Sequence, residues 1–309
     1  MRHWLFTVLL MLCVPVATAA DLITFWDTPR HGGNSFNRLP PDQAYFDALR
    51  GYGATWVRLS YDKWQPAQRD FLLGNADHYQ GLPSADLATL RTALDRAHQA
   101  GLKVVIAPLS LPGMRWSQHN KGQFDDRLWQ DKAYWLQAAG FWKDLARELK
   151  GHPAVAAYNL VNEPAPEKMS DLAEHADAES MRRWYAREQG GARDLPGLYR
   201  QLITAIRQED PATPIMVDAG WFAAADAFGY WPAPLPDPRV LYSIHMYEPY
   251  FVTSAPNMTR KQPLAYPGAA PFAGHTQQWD SERVKRYLQQ PIAWAQAMKL
   301  PHSRLVVGE

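Results

Sequence analysis

The hydrophobic pattern alternates between helical and extended periods along the chain. Leu87, Leu90 and Leu94 share one helical stripe, and Gly101 ends that segment. The stretches between the helices are short, apolar and rich in β-branched residues, as strands are. The pattern predicts helices at 42–51, 86–101, 134–150, 198–209 and 282–300, and strands at 55–59, 103–108, 154–162, 214–218, 240–246 and 304–309.

Two segments compete for the position of the first strand. It is either Leu22–Trp26 or Gly32–Phe36, and in the second case the earlier segment crosses the bottom of the sheet. Both alternatives give seven strands separated by helix-length spacers, which indicates βαβ units and a parallel sheet. We therefore predict an α/β fold, a (β/α)8 TIM barrel. A closed barrel needs eight strands, so we expect the given sequence to stop after strand 7.

An open, doubly wound sheet is the alternative architecture. Such a sheet usually carries a glycine-rich phosphate-binding turn after its first strand. The segment His31-Gly-Gly-Asn34 lacks the spacing of that turn, and the sequence contains no Walker-type loop. The pattern therefore favours the barrel.

The first twenty residues have the pattern of an export signal. Arg2 precedes the apolar run Leu5–Val16, and Ala17–Ala20 supplies small residues for cleavage. A membrane anchor would need a longer apolar run. We expect an exported protein, periplasmic or secreted by a bacterium, with one domain at 21–309 and no membrane anchor after processing. Cys13 is the sole cysteine, so the processed chain would have no disulfide and no thiolate metal site.

The charge balance excludes some classes of partner. The sequence has 32 Lys and Arg against 31 Asp and Glu, and removal of Arg2 with the signal leaves 31 against 31. A neutral chain lacks the basic surface that nucleic acids and anionic membranes attract. The 13 Trp and 14 Tyr are suited to stacking on sugar rings, although many of them will be core residues. We therefore expect a neutral, hydroxyl-rich ligand and no nucleic acid.

Two predicted strands end on a glutamate. Glu163 follows the strand at 154–162, where Pro164 forces the chain to turn, and Glu309 ends the strand at 304–309. A (β/α)8 barrel collects its reactive groups at the carboxyl ends of its strands, so we expect the two carboxylates to face each other there. Facing carboxylates about 5–5.5 Å apart are what a retaining glycosidase requires. A strand-end glutamate paired with an arginine is the structural alternative for Glu163.

Four short motifs carry a resemblance to a known family. Residues 56–59 (WVRL), 158–164 (YNLVNEP), 245–247 (HMY) and 306–309 (VVGE) occur in this order at barrel spacing. Together they resemble the signatures of glycoside hydrolase family 5, the cellulase-type family of the retaining (β/α)8 glycosidases. The resemblance extends from about Gly32 to the end of the sequence, and it implies a catalytic domain of that fold.

The resemblance also implies roles for individual residues. Glu163 would be the acid/base and Glu309 the nucleophile. Asn162 would hydrogen-bond the 2-hydroxyl of the sugar in the −1 site, and Arg58 would lie beneath Glu309 and keep it ionised. These roles agree with the chemistry, because a nucleophilic carboxylate needs cationic and hydrogen-bonding neighbours to stay ionised, while its partner must stay protonated. A structural ion pair is the alternative for Arg58.

His245 and Tyr247 complete the set that the resemblance implies. Tyr247 would donate to Glu309, and His245 would line the −1 site near Glu163; packing roles are the alternatives. The ten histidines show no metal-ligand spacing, so we predict neither a metal nor an organic cofactor.

One segment departs from the family pattern. Many members carry a histidine after the third strand, and Leu109 occupies that place here. His119 is a candidate to replace it from a loop. Among the aromatic residues, Trp221 is the first candidate for a sugar platform, and the other candidates are Trp26, Trp64 and Trp116.

These observations predict a retaining β-glycoside hydrolase that acts on a β-linked oligo- or polysaccharide, most simply as an endo-β-1,4-glucanase. Mannan, β-1,3-glucan or a glycolipid could be cleaved by the same groups. A carbohydrate-binding barrel without turnover is the alternative from a different class.

Overall fold

The computed structural model describes residues 22–309, and the predicted export segment lies outside them. The strands are β1 Gly32–Ser35, β2 Trp56–Leu59, β3 Lys103–Ile106, β4 Val155–Asn159, β5 Ile215–Asp218, β6 Val240–Ile244, β7 Gly268–Phe272, β8 His275–Trp279 and β9 Leu305–Val307. Seven of them form a parallel sheet in the order β1-β2-β3-β4-β5-β6-β9, while β7 and β8 form an antiparallel hairpin.

Helices cover the outer face of this sheet. The α-helices are α1 Gln43–Gly51, α2 Ser84–Gln99, α3 Lys132–Leu149, α4 Ala178–Glu188, α5 Leu195–Arg207, α6 Gly220–Ala223, α7 Tyr250–Thr253, α8 Ala255–Met258 and α9 Ser281–Ala297. Short 3₁₀ helices lie at Leu22–Asp27, Ser117–His119, Arg127–Trp129, Phe228–Tyr230 and His302–Arg304. Within residues 22–309, none of these helices is long and apolar enough to span a membrane.

The predicted order of strands is confirmed, and the ambiguity over the first strand is resolved. Gly32–Ser35 pairs with β2, whereas Leu22–Asp27 is a 3₁₀ helix. The sequence pattern did not predict α4, the short helices α6, α7 and α8, or the β7–β8 hairpin. The hairpin sequences GAAPF and HTQQW are mostly exposed and lack the alternation of apolar and polar residues that identifies a strand.

Two layers of side chains fill the inside of the curled sheet. The lower layer is apolar and consists of Trp56, Val105, Ala157, Met216 and Leu241, closed from below by Ile23 and Trp26. Side chains on a strand repeat their direction every two residues, so the next inward positions lie above this layer. These positions hold Asn34, Arg58, Asn159 and Asp218, which hydrogen-bond with one another and which we call the polar layer.

Candidate active site

Glu163 and Glu309 lie above the polar layer, at the carboxyl ends of β4 and β9. One carboxylate oxygen of each residue and a ring nitrogen of His245 all lie within 4.8 Å of one another. The Glu309 side chain is 7% exposed, whereas that of Glu163 is 34% exposed. The two carboxylates therefore face each other across the mouth, and they differ in their access to solvent.

The backbone of Glu309 is held by neighbouring strands. The Gly308 N–H donates to Ile244 O at 2.8 Å, and the Met246 N–H donates to Glu309 O at 2.8 Å. The Asn34 side chain donates to Gly308 O at 2.9 Å. A Cβ at position 308 would overlap the hydroxyl of the neighbouring Ser243 and crowd the His245 ring, so a larger residue before the glutamate would displace these side chains.

Arg58 is fully buried and joins the polar layer to the site. Its Nη1 donates to Glu309 Oε1 at 2.6 Å and to Asn34 Oδ1 at 3.3 Å. Its Nη2 donates to Asn162 Oδ1 at 2.7 Å, and its Nε donates to Asn159 Oδ1 at 2.8 Å. A guanidinium in a protein stays protonated, so this contact places a permanent positive charge beneath Glu309.

Tyr247 and His245 contact the two glutamates from the end of β6. The Tyr247 hydroxyl donates to Glu309 Oε2 at 2.7 Å. Burial and the neighbouring Glu309 raise the pKa of Tyr247, so the phenol stays protonated and acts as a donor. His245 Nδ1 lies 3.0 Å from Glu163 Oε1 and 3.7 Å from Glu309 Oε1. The imidazole thus lies between the two carboxylates.

Asp218, at the end of β5, is a residue that the sequence did not single out. It is fully buried, and its Oδ1 accepts from Asn159 Nδ2 at 3.0 Å. Its Oδ2 accepts the backbone N–H of Glu163 at 3.2 Å and lies 3.4 Å from His245 Nε2. The sequence signal that could have identified it is a carboxylate at the end of an apolar strand. A buried charge needs partners, so such a residue indicates a polar cluster.

A second unpredicted carboxylate supports the loop after β5. Glu167 is fully buried, its Oε2 accepts the Trp221 backbone N–H at 3.1 Å, and its Oε1 accepts the Tyr185 hydroxyl. Trp221 and the two residues after it all have positive φ, between 46° and 66°. The Phe222 N–H donates to Pro164 O at 3.0 Å, so this turn is joined to the loop that carries Glu163.

Two of the four predicted aromatic platforms are not available to a sugar, one because it lies at the opposite end of the sheet and one because it is buried, and these assignments were wrong. Trp26 closes the opposite end of the sheet, where its Nε1 donates to Ala156 O. Trp64 is 1% exposed and packs in the core against Tyr61 and Phe71. A large aromatic side chain satisfies the core and a sugar site equally well, so sequence alone could not separate the two uses.

The remaining candidates lie in loops at the carboxyl ends of the strands. Trp221 is 7% exposed, and Trp116 is partly buried with the exposed His119 edge-on to its ring at 5.2 Å. We call Trp116, His119 and Trp221 the aromatic rim. Leu109 is buried, and its backbone N–H donates to Asp62 Oδ2. Among residues 22–309, His119 has no hydrogen bond to either glutamate, so the structure does not place it as a substitute for the absent histidine.

Comparison with known proteins shows the family. The sequence matches the Cellulase family, glycosyl hydrolase family 5, over residues 22–301. The chain belongs to this family. Glu309 lies beyond the matched residues, so its place in the site comes from the structure. No curated protein matches the chain in sequence.

Solved structures agree on the (β/α)8 barrel fold at low sequence identity. A hyperthermophilic endo-β-1,4-glucanase solved with substrate has a TM-score of 0.62 and 15% identity, covering 91% of this chain and 79% of its own. The endoglucanase Cel5A of Pseudomonas stutzeri has a TM-score of 0.57 and 18% identity, covering 88% and 73%. The cellulose synthase subunit Z of Clostridioides difficile has a TM-score of 0.57 and 15% identity, covering 90% and 80%.

The chemistry of the site matches the class of glycoside hydrolases that the family defines. Glu163, His245 and Glu309 could also ligate a metal ion, since their donor atoms are close enough. Arg58 already supplies a cation at 2.6 Å from Glu309, which a metal on the same carboxylate would have to oppose.

Proposed function

We propose that the chain is a retaining β-glycosidase with Glu309 as nucleophile and Glu163 as acid/base. The observation that carries this proposal is the difference between the two carboxylates. Glu309 accepts from Arg58 and Tyr247, both of which stabilise its ionised form. Glu163 has no Lys or Arg partner among residues 22–309 and opens to solvent, where a leaving group can reach it.

The proposed reaction is a double displacement. Glu309 attacks the anomeric carbon while Glu163 gives its proton to the glycosidic oxygen, so the carbon–carboxylate bond forms as the glycosidic bond breaks. Glu163, now ionised, takes a proton from water, and that water displaces Glu309 from the sugar. Oxygens within 4.8 Å support retention, because inverting enzymes separate their carboxyls by about 6.5–9.5 Å.

Sugar binding in the −1 site is proposed for two further residues. Asn162 is 8% exposed, and its Oδ1 is occupied by Arg58. Its amide N–H groups make no hydrogen bond within the described residues, which leaves them available to a substrate hydroxyl. His245 adds a ring nitrogen between the two carboxylates.

The proposed substrate is β-1,4-glucan, cleaved internally. Support comes from the family and from similar structures named as endoglucanases, one of them solved with substrate. Leu109 in place of the family's histidine favours a second candidate, the same chemistry on mannan, β-1,3-glucan or a glycolipid, because that histidine would contact the −1 sugar. A carbohydrate-binding barrel without turnover is the alternative, and the first experiment must distinguish it from a hydrolase.

The test is covalent trapping of the full chain with 2-deoxy-2-fluoro β-cellobioside bearing a dinitrophenyl leaving group. The fluorine slows both steps, so a glycosyl-enzyme accumulates, and peptide mapping locates the added mass. We expect the label on Glu309, and none in Glu309→Gln. A 2-deoxy-2-fluoro mannoside run in parallel reports whether the sugar class has been misassigned.

The matched control is Glu174→Gln, which changes an exposed glutamate in the loop after β4. This variant should label as the wild type does. A folded protein that takes no label from either sugar, yet binds cello-oligosaccharides, would overturn the proposed hydrolysis in favour of the binding barrel. Label on another residue would overturn the assignment of the nucleophile.

We also propose that residues 1–20 direct export, on the strength of their sequence pattern. Expression of the full sequence in a bacterium and N-terminal sequencing of the periplasmic or secreted product tests this. A start near residue 21 is expected, and a cytoplasmic product that keeps Met1 would contradict it.

A further inference from the structure

Asp218 lies at the point where the polar layer meets the proposed acid/base. It ends β5 and has no exposed surface, yet it carries a carboxylate. Its two oxygens contact the Asn159 side chain, the Glu163 backbone and His245 Nε2, and Arg58 Nη2 lies 3.8 Å away. A buried carboxylate with this many polar contacts restrains the positions of the groups that contact it.

The first consequence concerns the backbone of Glu163. This residue has φ of 47°, in the left-handed region that side chains with a Cβ disfavour. Its N–H donates to Asp218 Oδ2 at 3.2 Å. The following Pro164 has no N–H and cannot donate a hydrogen bond. The bond from the Glu163 N–H to Asp218 therefore restrains the backbone at this point. It fixes the direction in which the Glu163 side chain leaves the backbone.

The second consequence concerns the imidazole of His245. His245 Nε2 is buried and has no formed hydrogen bond within residues 22–309, and Asp218 Oδ2 lies 3.4 Å from it. A carboxylate at this position favours a proton on Nε2. The neutral ring then presents its Nδ1 lone pair to Glu163 Oε1, 3.0 Å away, which suits the protonated acid. Asp218 thus fixes the orientation of the ring that contacts Glu163.

We propose that Asp218 is a positioning residue for the acid step, acting through the Glu163 backbone and the His245 ring. This inference rests on the proposed role of Glu163. Asp218 does not touch the sugar. It holds the acid so that its proton reaches the glycosidic oxygen, and it orients the ring that accepts from the protonated acid.

The test is the dependence of kcat/KM on the leaving group in Asp218→Asn. Cellobiosides with a 2,4-dinitrophenyl group need no proton to depart, whereas cello-oligosaccharides and phenyl cellobioside do. General acid catalysis contributes about 10²–10⁴-fold. We expect Asp218→Asn to lower kcat/KM about 10²-fold on phenyl cellobioside and less than about 5-fold on the dinitrophenyl substrate.

The matched control is Asp210→Asn. Asp210 is equally buried and hydrogen-bonds Tyr158 and Thr213, but it lies at the other end of β5. Damage to folding alone should lower kcat/KM by the same factor on both substrates. We expect this result for the control. Should Asp218→Asn fail to fold, His245→Asn removes the ring that Asp218 contacts, and it is judged by the same ratio of substrates.

The outcomes separate this inference from the proposed function. Equal losses on both substrates, or no loss in Asp218→Asn, would overturn the role of Asp218 while wild-type turnover still stands. Absence of turnover in the wild type would overturn the proposed function, and the role of Asp218 with it. Azide rescue of Glu163→Ala on the dinitrophenyl substrate checks independently that Glu163 is the acid/base.

Discussion

The polar layer and the aromatic rim are two parts of one site, and they are built in different ways. Arg58 and Asp218 of the polar layer stand on strands, are fully buried, and bond to neighbours at short distances. Trp116 and His119 of the rim lie in the segment after β3, where the His119 ring packs edge-on to that of Trp116. Strand register fixes the first set, whereas the second set depends on loop conformation. We therefore expect the strands to carry the proposed chemistry and the loops to influence the choice of substrate.

Among the substitutions that test the contrast between the polar layer and the aromatic rim, Arg58→Met should have the largest effect on activity and stability. Removal of the guanidinium leaves Glu309 without its cation and three asparagine oxygens without their donor. We expect kcat to fall at least about 10³-fold, and the free energy of unfolding to fall by about 3–5 kcal/mol, as for other broken buried pairs. Steady-state kinetics on cello-oligosaccharides and urea unfolding measure both quantities.

Arg58→Lys sharpens the same experiment, because it keeps the charge and loses the fork that reaches four acceptors. It should fall between the wild type and Arg58→Met in both quantities. Arg147→Lys, on an exposed ion pair, is the control and should change the unfolding free energy by less than about 1 kcal/mol. Wild-type kcat in Arg58→Met would contradict the role of the polar layer.

The same contrast explains how much of the site could be predicted from sequence. Glu163, Glu309 and Arg58 occupy strand-end motifs, and the barrel brings such positions together, as the structure shows. Asn159 and Asp218 were not predicted. A polar residue in an apolar strand has no evident role until its partner on the next strand is known. The register between β4 and β5 supplies that partner, and a single sequence does not contain it.

The rim was predicted less well, because tryptophan has no sequence signal that separates core from cleft. Trp26 and Trp64 pack in hydrophobic clusters, and so does Trp221, which lies in the loop after β5. The turn at Trp221 depends on Glu167, a residue of another loop, and on three successive residues at positive φ. Hydrophobic periodicity predicts none of these features, since they arise from contacts between loops.

Glu167→Gln tests the support beneath the rim through its pH dependence. Burial raises the pKa of Glu167 to about 7, above its ordinary value of 4.5. The folded state therefore binds more protons than the unfolded state between these values, and stability falls as pH rises from 4.5 to about 7. The loss is on the order of 3 kcal/mol, and Glu167→Gln should remove it while leaving low-pH stability nearly unchanged.

Urea unfolding of the wild type and Glu167→Gln at pH 5 and pH 8 measures this difference. The variant should gain stability relative to the wild type as the pH rises. Glu282→Gln, on an exposed residue of α9, is the control and should follow the wild type at both values. A constant difference between the wild type and Glu167→Gln at the two pH values would show that the carboxylate is not the source of the slope.

The smallest effect is expected at the outer rim, from Trp116→Ala. The ring is partly buried, with His119 on its edge and Lys63 Nζ 5.3 Å from its centroid, and it has no contact with the polar layer among the described residues. An aromatic contact is worth about 0.5–1.5 kcal/mol, which corresponds to roughly a 2–10-fold change in KM. The change should appear with cellohexaose and be absent with dinitrophenyl cellobioside, because only the longer chain can extend to this loop.

His119→Ala, which removes the edge contact alone, should change KM less than about 2-fold. A loss of kcat in Trp116→Ala as large as in Arg58→Met would break the separation of chemistry from substrate choice, since a loop residue would then control the reacting groups.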